Sequence, residues 1–593
     1  MEAPDSALDI VERFGDQART QPGALALYCA GESVTYHQLD RWSSAIARDL
    51  AAAGVVPGDG VAVLAPRGAA LHAGLLGVLK AGAWYLAIDP GHAVQRRNML
   101  LRRAQCAAVL TEPADANPEL PTELVLSSLA RREAEPWSAP HIPGLPAYVC
   151  FTSGTTAEPK PVMVSRGSLS AFVDAFIGRV GIKSQWSLAG FCPPDWDGFA
   201  IDTWIPLAAG AAAETGSATD RANPGAIAKF IADRAVQAAF LPTAIGQIVM
   251  ASSHLTSARE LRHLCLGGDR LTRRPGPDAG YTLWNVYGPT ETTVAAIVSP
   301  VAPDDLPDIP LGWPLPGSQL DIVGTEHIPC PPGEPGEILI AGVGVAIGYL
   351  GEPRATAAAF VPGPAGRHYR TGDLGQSLPD GQFHFIGRRD RQVSVHGRRI
   401  ELDGVAAALH AITGVVDACA AVAGTGEEQT LVALVVSAHG SGLTPDSVRA
   451  DLENWLGPQQ MPDRIVMLPA IPAPAQLEDT ITGIITGPLS DDDPEDFEMD
   501  EVTECVADAW ATQFGGPRPG LDDNFFGQGG NSLMAVELVQ RLQEAFAVEV
   551  RLMAFLDSPT PRSLADLLRA EVGQQFDDLP KQERARLLEE RAW

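Results

Sequence analysis

Through roughly the first 385 residues, short apolar runs alternate with longer stretches whose apolar residues recur at helical spacing. GVAVLAP (60–66), AALHAGLLGVLKAG (69–82), AWYLAIDP (83–90), RRNMLLRRAQ (96–105) and AAVLTE (107–112) show the rhythm most clearly. Strand, helix and strand in succession predict βαβ units, which lay their strands parallel in a sheet covered by helices. The expectation is an α/β fold with a large N-terminal subdomain over 1–385.

After Gly387 the pattern changes. Strand-like QVSVHG (392–397) and TLVALVVSA (430–438) flank helical LDGVAAALHAI (402–412), and PDSVRADLENWL (445–456) follows. This predicts a small α+β C-terminal lobe over 386–488. The acidic segment SDDDPEDFEMDE (490–501) has too few apolar residues to pack, so 489–500 reads as a linker. VTECVADAWATQF (502–514), SLMAVELVQRLQEAF (532–546) and SLADLLRAEV (563–572) place apolar residues at helical spacing, and an all-α four-helix bundle is expected over 501–573. The remaining 574–593 reads as a charged, solvated helical tail.

Charge narrows the partners. A net charge of -30 repels both nucleic acid and anionic membrane, and neither is expected to bind. The start lacks a basic region followed by an apolar core, and no run reaches the roughly 18 apolar residues of a membrane span, so a cytoplasmic location is expected. Eight cysteines are scattered without CxxC pairs, which supports neither a zinc site nor a disulfide framework; they read as buried thiols.

Chemistry concentrates in a few loops. FTSGTTAEPKPVMV (151–164) crowds small hydroxyl residues and a glycine after an apolar run. Such a loop can wrap phosphates with backbone N–H groups and hydroxyls, and Lys160 adds a point charge, although the GK[ST] ending of a Walker loop is missing. In NVYGPTETT (285–293), Glu291 offers a hard oxygen for the magnesium that accompanies ATP, and Tyr287 a flat face for adenine. In YRTGDLG (369–375), Asp373 in a turn can accept from both ribose hydroxyls, and Arg388 in GRRDRQ (387–392) can reach ribose or phosphate. Taken singly, each is as readily a turn or an ion pair as a ligand.

Together with SVTYHQL (33–39), LKAGAWYLAIDP (79–90) and GEILIAGVGVAIGYL (336–350), these motifs resemble the adenylate-forming superfamily, and specifically the adenylation domains of nonribosomal peptide synthetases. The resemblance covers about the first 480 residues. It implies ATP-binding roles for Thr152, Ser153, Gly154, Thr155, Thr156, Asn285, Tyr287, Thr290, Asp373 and Arg388. It implies catalytic roles for Lys160, Glu291, Arg388 and a hinge at Asp390, with Mg2+ on Glu291. The reaction implied has two halves: a carboxylate attacks the α-phosphorus of ATP, and a thiol then attacks the acyl-adenylate.

PPDWDGFAIDTW (193–204) aligns with the family segment that lines the amino-acid pocket and puts Asp197 where an acidic group holds the α-ammonium. Asp195 is the alternative anchor if the register slips by two. The remaining pocket positions fall on Gly198, Ile201, Phe240, Cys265, Gly267, Val286, Val294 and Ala295, an apolar set that fits Ile, Val or Leu and equally fits ordinary core packing. Aromatic substrates also remain open, since Gly198, Gly267 and Ala295 leave room while Phe240 takes it away.

FFGQGGNSLMAVELVQRL (525–542) puts Ser532 at the mouth of a helix after a glycine-rich loop, a position that alone reads as a helix N-cap. The loop resembles the signature of peptidyl carrier proteins, which implies a 4'-phosphopantetheine on Ser532 installed by a phosphopantetheinyl transferase. A downstream condensation or tailoring enzyme and an MbtH-like helper are the further partners implied. No condensation-type region precedes residue 1 and no GxSxG follows the bundle, so a stand-alone or initiating unit is expected. The family's lysine near the end of the small lobe falls at or near Glu478, a second family lysine is Ser394, and no lysine stands between Lys229 and Lys581. Arg398, Arg399 and Arg464 are the candidate substitutes.

Overall fold

The structure, a computed structural model, describes residues 8–111, 125–128, 130–140, 142, 144–152, 159–217, 219–221, 223–277, 279–303, 308–324, 328–363, 366–389, 392–395, 398–424, 429–438, 441–457, 460–472, 501–514, 518–521, 525, 532–546, 548, 550, 555 and 560–578. The chain separates into two compact units. One comprises 1–217, 228–408 and 450–460; the other comprises 218–227, 409–449 and 461–593.

In the first unit the βαβ rhythm produces two mainly parallel sheets. One runs in the order Gly348–Tyr349, Lys160–Ser165, Pro146–Thr152, Trp84–Ile88, Gly60–Leu64, Ala108–Thr111, Val125–Ser128, parallel from Pro146–Thr152 onward. The other runs Ile297–Pro300, Thr282–Tyr287, His263–Gly267, Ala238–Pro242, Ser187–Gly190, Ala212–Thr215, Leu25–Cys29, Glu32–Thr35, antiparallel only at its two ends. Helix Ala69–Lys80 is apolar on every side, and Leu71 to Lys80 are all buried, as a helix enclosed by other layers must be. Its terminal Lys80 is held inside by Asp40 and Ser44, and burial pushes its pKa down to about 8 against the pull of Asp40.

The parallel strands Ser187–Gly190, Ala238–Pro242, His263–Gly267 and Thr282–Tyr287 end on one edge, the edge where open α/β sheets bind ligands. An antiparallel sheet of Ser318–Val323, Gly336–Gly342, Gly366–Ser377, Phe360–Gly363 and Phe383–Arg388 carries Asp373 and Arg388. Asp373 therefore stands in a strand and not in the turn its Gly-Asp sequence suggested. Gly372, at φ +72°, and a register shift between Leu374 and Gly375 give that strand a local kink.

In the second unit, Val415–Ala423 pairs antiparallel with Thr430–Ser437, which pairs parallel with Arg464–Met467. Three C-terminal helices are described, Glu501–Phe514, Ser532–Phe546 and Pro561–Asp578. They pack Val506, Leu538, Leu542, Leu564 and Leu568 around Trp510, whose ring meets Phe525 edge-on at 4.8 Å. The last helix runs past 573 to Asp578, and residues 579–593 of the expected tail lie outside the described residues. All eight cysteines are free; Cys29, Cys106, Cys150 and Cys192 are buried as expected, the pocket position Cys265 is buried too, and Cys330, Cys419 and Cys505 are partly exposed, against the expectation of buried thiols. Among the described residues no helix is long and apolar enough to cross a membrane.

Candidate active site

Alternation along strand Thr282–Tyr287 sets the first geometry. Asn285 and Tyr287 share a face, and Val286 takes the other. The Tyr287 hydroxyl donates to Asp373 Oδ2 at 2.5 Å, and the Arg388 guanidinium donates to Asp373 Oδ1 and to the Thr371 carbonyl at 3.1 Å. Asp373 and Arg388 are register partners across adjacent strands, so the fold itself brings them together. Burial, followed by the Asp373 charge, pushes the Tyr287 hydroxyl well above its usual pKa, which keeps it a donor. Asn285 is turned away: its amide donates to the Pro310 carbonyl at 3.1 Å.

The short 3₁₀ turn Thr290–Thr292 presents Glu291, buried to 2% exposure. Tyr349 donates its hydroxyl to Glu291 Oε1 at 2.8 Å, and the Lys160 ammonium lies over the ring of the same tyrosine, 5.7 Å from its centroid. Thr152 and Lys160 are register partners in the two strands that flank the hydroxyl-rich segment. Ser153, Gly154, Thr155 and Thr156 lie outside the described residues, as do Asp390 and Glu478. The donor chemistry here, a carboxylate oxygen beside a lysine, fits a magnesium ion carried by a polyphosphate.

The second geometry lies in the run between strand Ser187–Gly190 and helix Phe199–Ala209. Asp197 is 7% exposed, two residues before the helix begins. Asp195 is already engaged: its carboxylate meets His92 Nε2 at 2.9 Å. Burial works against the charge of Asp195, but the His92 contact and Arg96 outweigh it and hold the carboxyl below its usual range. Burial first, then the charges of Asp197, Asp195 and Glu291, raise the nearby Cys150 thiol well above its usual range.

Ile201, Phe240, Cys265, Val286, Val294 and Ala295 are all buried. Several groups share the space beside the two glycines. A Cβ built on Gly198 would lie 2.8 Å from the Trp196 ring and 3.0 Å from Phe240 Cε1, and one on Gly267 would lie 2.9 Å from the Val286 carbonyl oxygen and 3.4 Å from Phe240 Cε2. Phe240 borders both glycines together with these groups, and Trp196 stacks on it with centroids 6.2 Å apart. Trp196 and Tyr349 escaped the sequence reading although both lie inside quoted motifs. Their partners, Phe240 and Glu291, are 44 and 58 positions away, and nothing local signals the contact. Ser532 opens helix Ser532–Phe546, as a serine at a helix mouth should.

The description "AMP-binding enzyme" matches residues 14–350, more than half of the chain. The chain belongs to the AMP-binding enzyme family. A phosphopantetheine attachment site matches 504–568, which makes this AMP-binding protein an adenylation unit joined to a carrier domain. It is 31% identical over 605 residues to a linear gramicidin synthase polypeptide of Brevibacillus parabrevis, covering 97% of this chain and 11% of that one. It is 31% identical over 593 residues to phosphinothricin tripeptide synthetase PhsC of Streptomyces viridochromogenes, covering 95% and 53%. The chain therefore spans between about a tenth and about half of the length of these relatives. Among solved structures it is similar to holo-PA1221, an NRPS protein containing adenylation and PCP domains bound to a vinylsulfonamide inhibitor, with a TM-score of 0.79, 25% identity and coverage of 95% and 97%. Family membership implies ATP with Mg2+ and a 4'-phosphopantetheine arm.

Proposed function

We propose that this AMP-binding protein activates a branched aliphatic amino acid (Ile, Val or Leu) with ATP and passes it to the carrier at Ser532. The observation that carries the reading is Asp197, a buried carboxylate in the loop that leads into the helix of Ile201, with Phe240 and Cys265 buried in the neighbouring strands. A substrate ammonium offers that buried carboxylate a counter-charge, which a fatty or aryl acid does not carry. Phe240 with Trp196 beside Gly198, and Phe240 with the Val286 carbonyl beside Gly267, support an aliphatic side chain over an aromatic one.

In this reading Asp373 receives the ribose hydroxyls, Tyr287 lies against the base, and Arg388 secures Asp373. Lys160 and the 152–156 loop receive the phosphates, and Glu291 holds the magnesium, which when bound neutralises charge on them. Asp197 fixes the ammonium so that the substrate carboxylate faces the α-phosphorus, and attack there releases pyrophosphate. Asp390 serves as the hinge between the half-reactions. The phosphopantetheine group, once attached to Ser532 by a phosphopantetheinyl transferase, supplies the thiol that takes the acyl group. A downstream condensation or tailoring enzyme then uses the product, and an MbtH-like protein is a candidate helper.

Amino-acid-dependent pyrophosphate exchange with the purified protein tests the reading. Exchange above background with one aliphatic amino acid supports it, and none with any of the twenty overturns it. One observation favours a second reading, a scaffold whose carrier is charged in trans: no lysine stands between Lys229 and Lys581. Absent exchange together with loading of Ser532 by another enzyme would establish that alternative.

A further inference from the structure

Six residues, Pro193 to Gly198, connect strand Ser187–Gly190 through Phe191 and Cys192 to helix Phe199–Ala209, and they include Asp195, Trp196 and Asp197. Both ends of this loop close on one buried ion pair. Arg67 donates to Asp202 Oδ2 at 2.8 Å, to the Gly190 carbonyl at 3.0 Å and to the Cys192 carbonyl. The same Asp202 Oδ2 accepts the Cys192 backbone N–H at 2.8 Å. Arg67 also stands over Phe199, the first helical residue, 5.0 Å from its ring centroid, and His72 lies 5.5 Å from that ring. The side chains of Arg67 and Asp202 are 2% and 1% exposed. Gly190 completes the fit, because a Cβ there would come within 2.2 Å of the Asp202 carboxyl carbon.

We infer that Arg67 and Asp202 are positioning residues that clamp the 193–198 loop and thereby set where Asp197 meets the substrate ammonium. This rests on the amino-acid-activating reading above. A core staple alone would need neither feature that stands out here. The guanidinium spends its fork on the strand end before the loop and on the helix after it, which is a bracket around the loop and not a tie between distant elements. Arg67 Nε and Asp202 Oδ1 are buried without a hydrogen-bond partner among the described residues, so the pair is not arranged for greatest stability. Asp202 is one residue from Ile201, so a shift of the helix start moves the ammonium anchor and the side-chain wall together.

The experiment uses the full chain with Arg67→Lys, Asp202→Asn and Gly190→Ala. Backbone hydrogen exchange at Asp195 to Gly198 is the first readout and needs no activity. It should quicken by about 10-fold or more in each variant while strand Lys160–Ser165 stays unchanged. The second readout is kinetic: the amino-acid KM should rise about 10-fold or more, with the ATP KM unchanged within about 2-fold. Unchanged exchange in the loop overturns the inference. So does an equal rise of both KM values, or loss of ATP binding in all three variants, because either marks a general structural role. If the wild type activates no amino acid, the functional reading fails by itself, and the loop exchange still decides whether the clamp exists.

Discussion

Phe240 is the side chain whose removal should change what the pocket accepts. Its ring edges border Gly198 and Gly267, so Phe240→Ala would open space on its own side of both glycines, while Trp196 and the Val286 carbonyl still close on the other. Activation of Phe or Leu relative to Val should rise by about 10- to 100-fold, measured by pyrophosphate exchange across a panel of amino acids. Asp202 supplies the second prediction at this scale. Burial pushes its pKa from 3.8 up to about 6, with Arg67 holding it down. Its folded value is above its unfolded one, so between about pH 6 and 4 the folded chain binds the proton first, and protonation there favours the fold. What acid removes is the charge pair with Arg67, not stability. The amino-acid KM should therefore climb as pH falls below about 6, without an accompanying drop in melting temperature from this group, and Asp202→Asn should abolish that limb. Residue types and motif order made Asp197, Glu291 and Asp373 legible in the sequence. Arg67 was not, because its partners Gly190, Cys192 and Asp202 lie more than a hundred residues downstream.

Among elements, those with strong periodicity were legible and those shaped by long-range pairing were not. The strands at 60–64, 84–88 and 108–111 and the helices between them follow the apolar pattern, since a two-sided buried strand or an enclosed helix needs continuous apolar residues. The turn that carries the pocket wall is different. Thr293 and Val294 take φ of +60° and +68°, a left-handed region that costs a β-branched residue on the order of 1–2 kcal/mol, and no sequence signal predicts it. Thr293 donates its hydroxyl to the Gly344 carbonyl at 2.6 Å, which helps to hold that conformation. Helix Ile10–Thr20 illustrates the converse, a local signal with a distant consequence. Asp9 caps it through the Val11 N–H, and both carboxylate oxygens also meet the Arg166 fork at 3.0 and 3.1 Å. Arg166 is 3% exposed and also donates to the Leu79 carbonyl, so one side chain joins three elements. Arg166→Met removes the guanidinium fork from a buried aspartate and should destabilise the unit that holds both residues by about 3–5 kcal/mol, measured by urea unfolding.

For the whole molecule, the division of labour between adenylation unit and carrier makes two covalent events separable. Incubation with coenzyme A and a phosphopantetheinyl transferase should add one phosphopantetheine mass to the intact chain, and Ser532→Ala should prevent it, as read by mass spectrometry. The aromatic centre at Trp510 and Phe525 gives that carrier its own core. Activation depends instead on positive charge in a chain of net charge -30. Lys160 lies over the ring of Tyr349, which bonds Glu291, and the family's second cation is expected at or near position 478, which holds a glutamate. In the proposed reaction a carboxylate near the developing charge on the α-phosphate would oppose it, and a cation there would favour it. Glu478→Lys should therefore raise the rate of amino-acid-dependent pyrophosphate exchange, by up to about 100-fold if a preorganised electrostatic donor is the measure. The gain should appear in kcat with the amino-acid KM little changed, because the interaction forms mainly as charge develops. No gain would place the functional cation elsewhere, and Arg398→Ala and Arg399→Ala, read in the same assay, would then show a loss of exchange at whichever arginine supplies it.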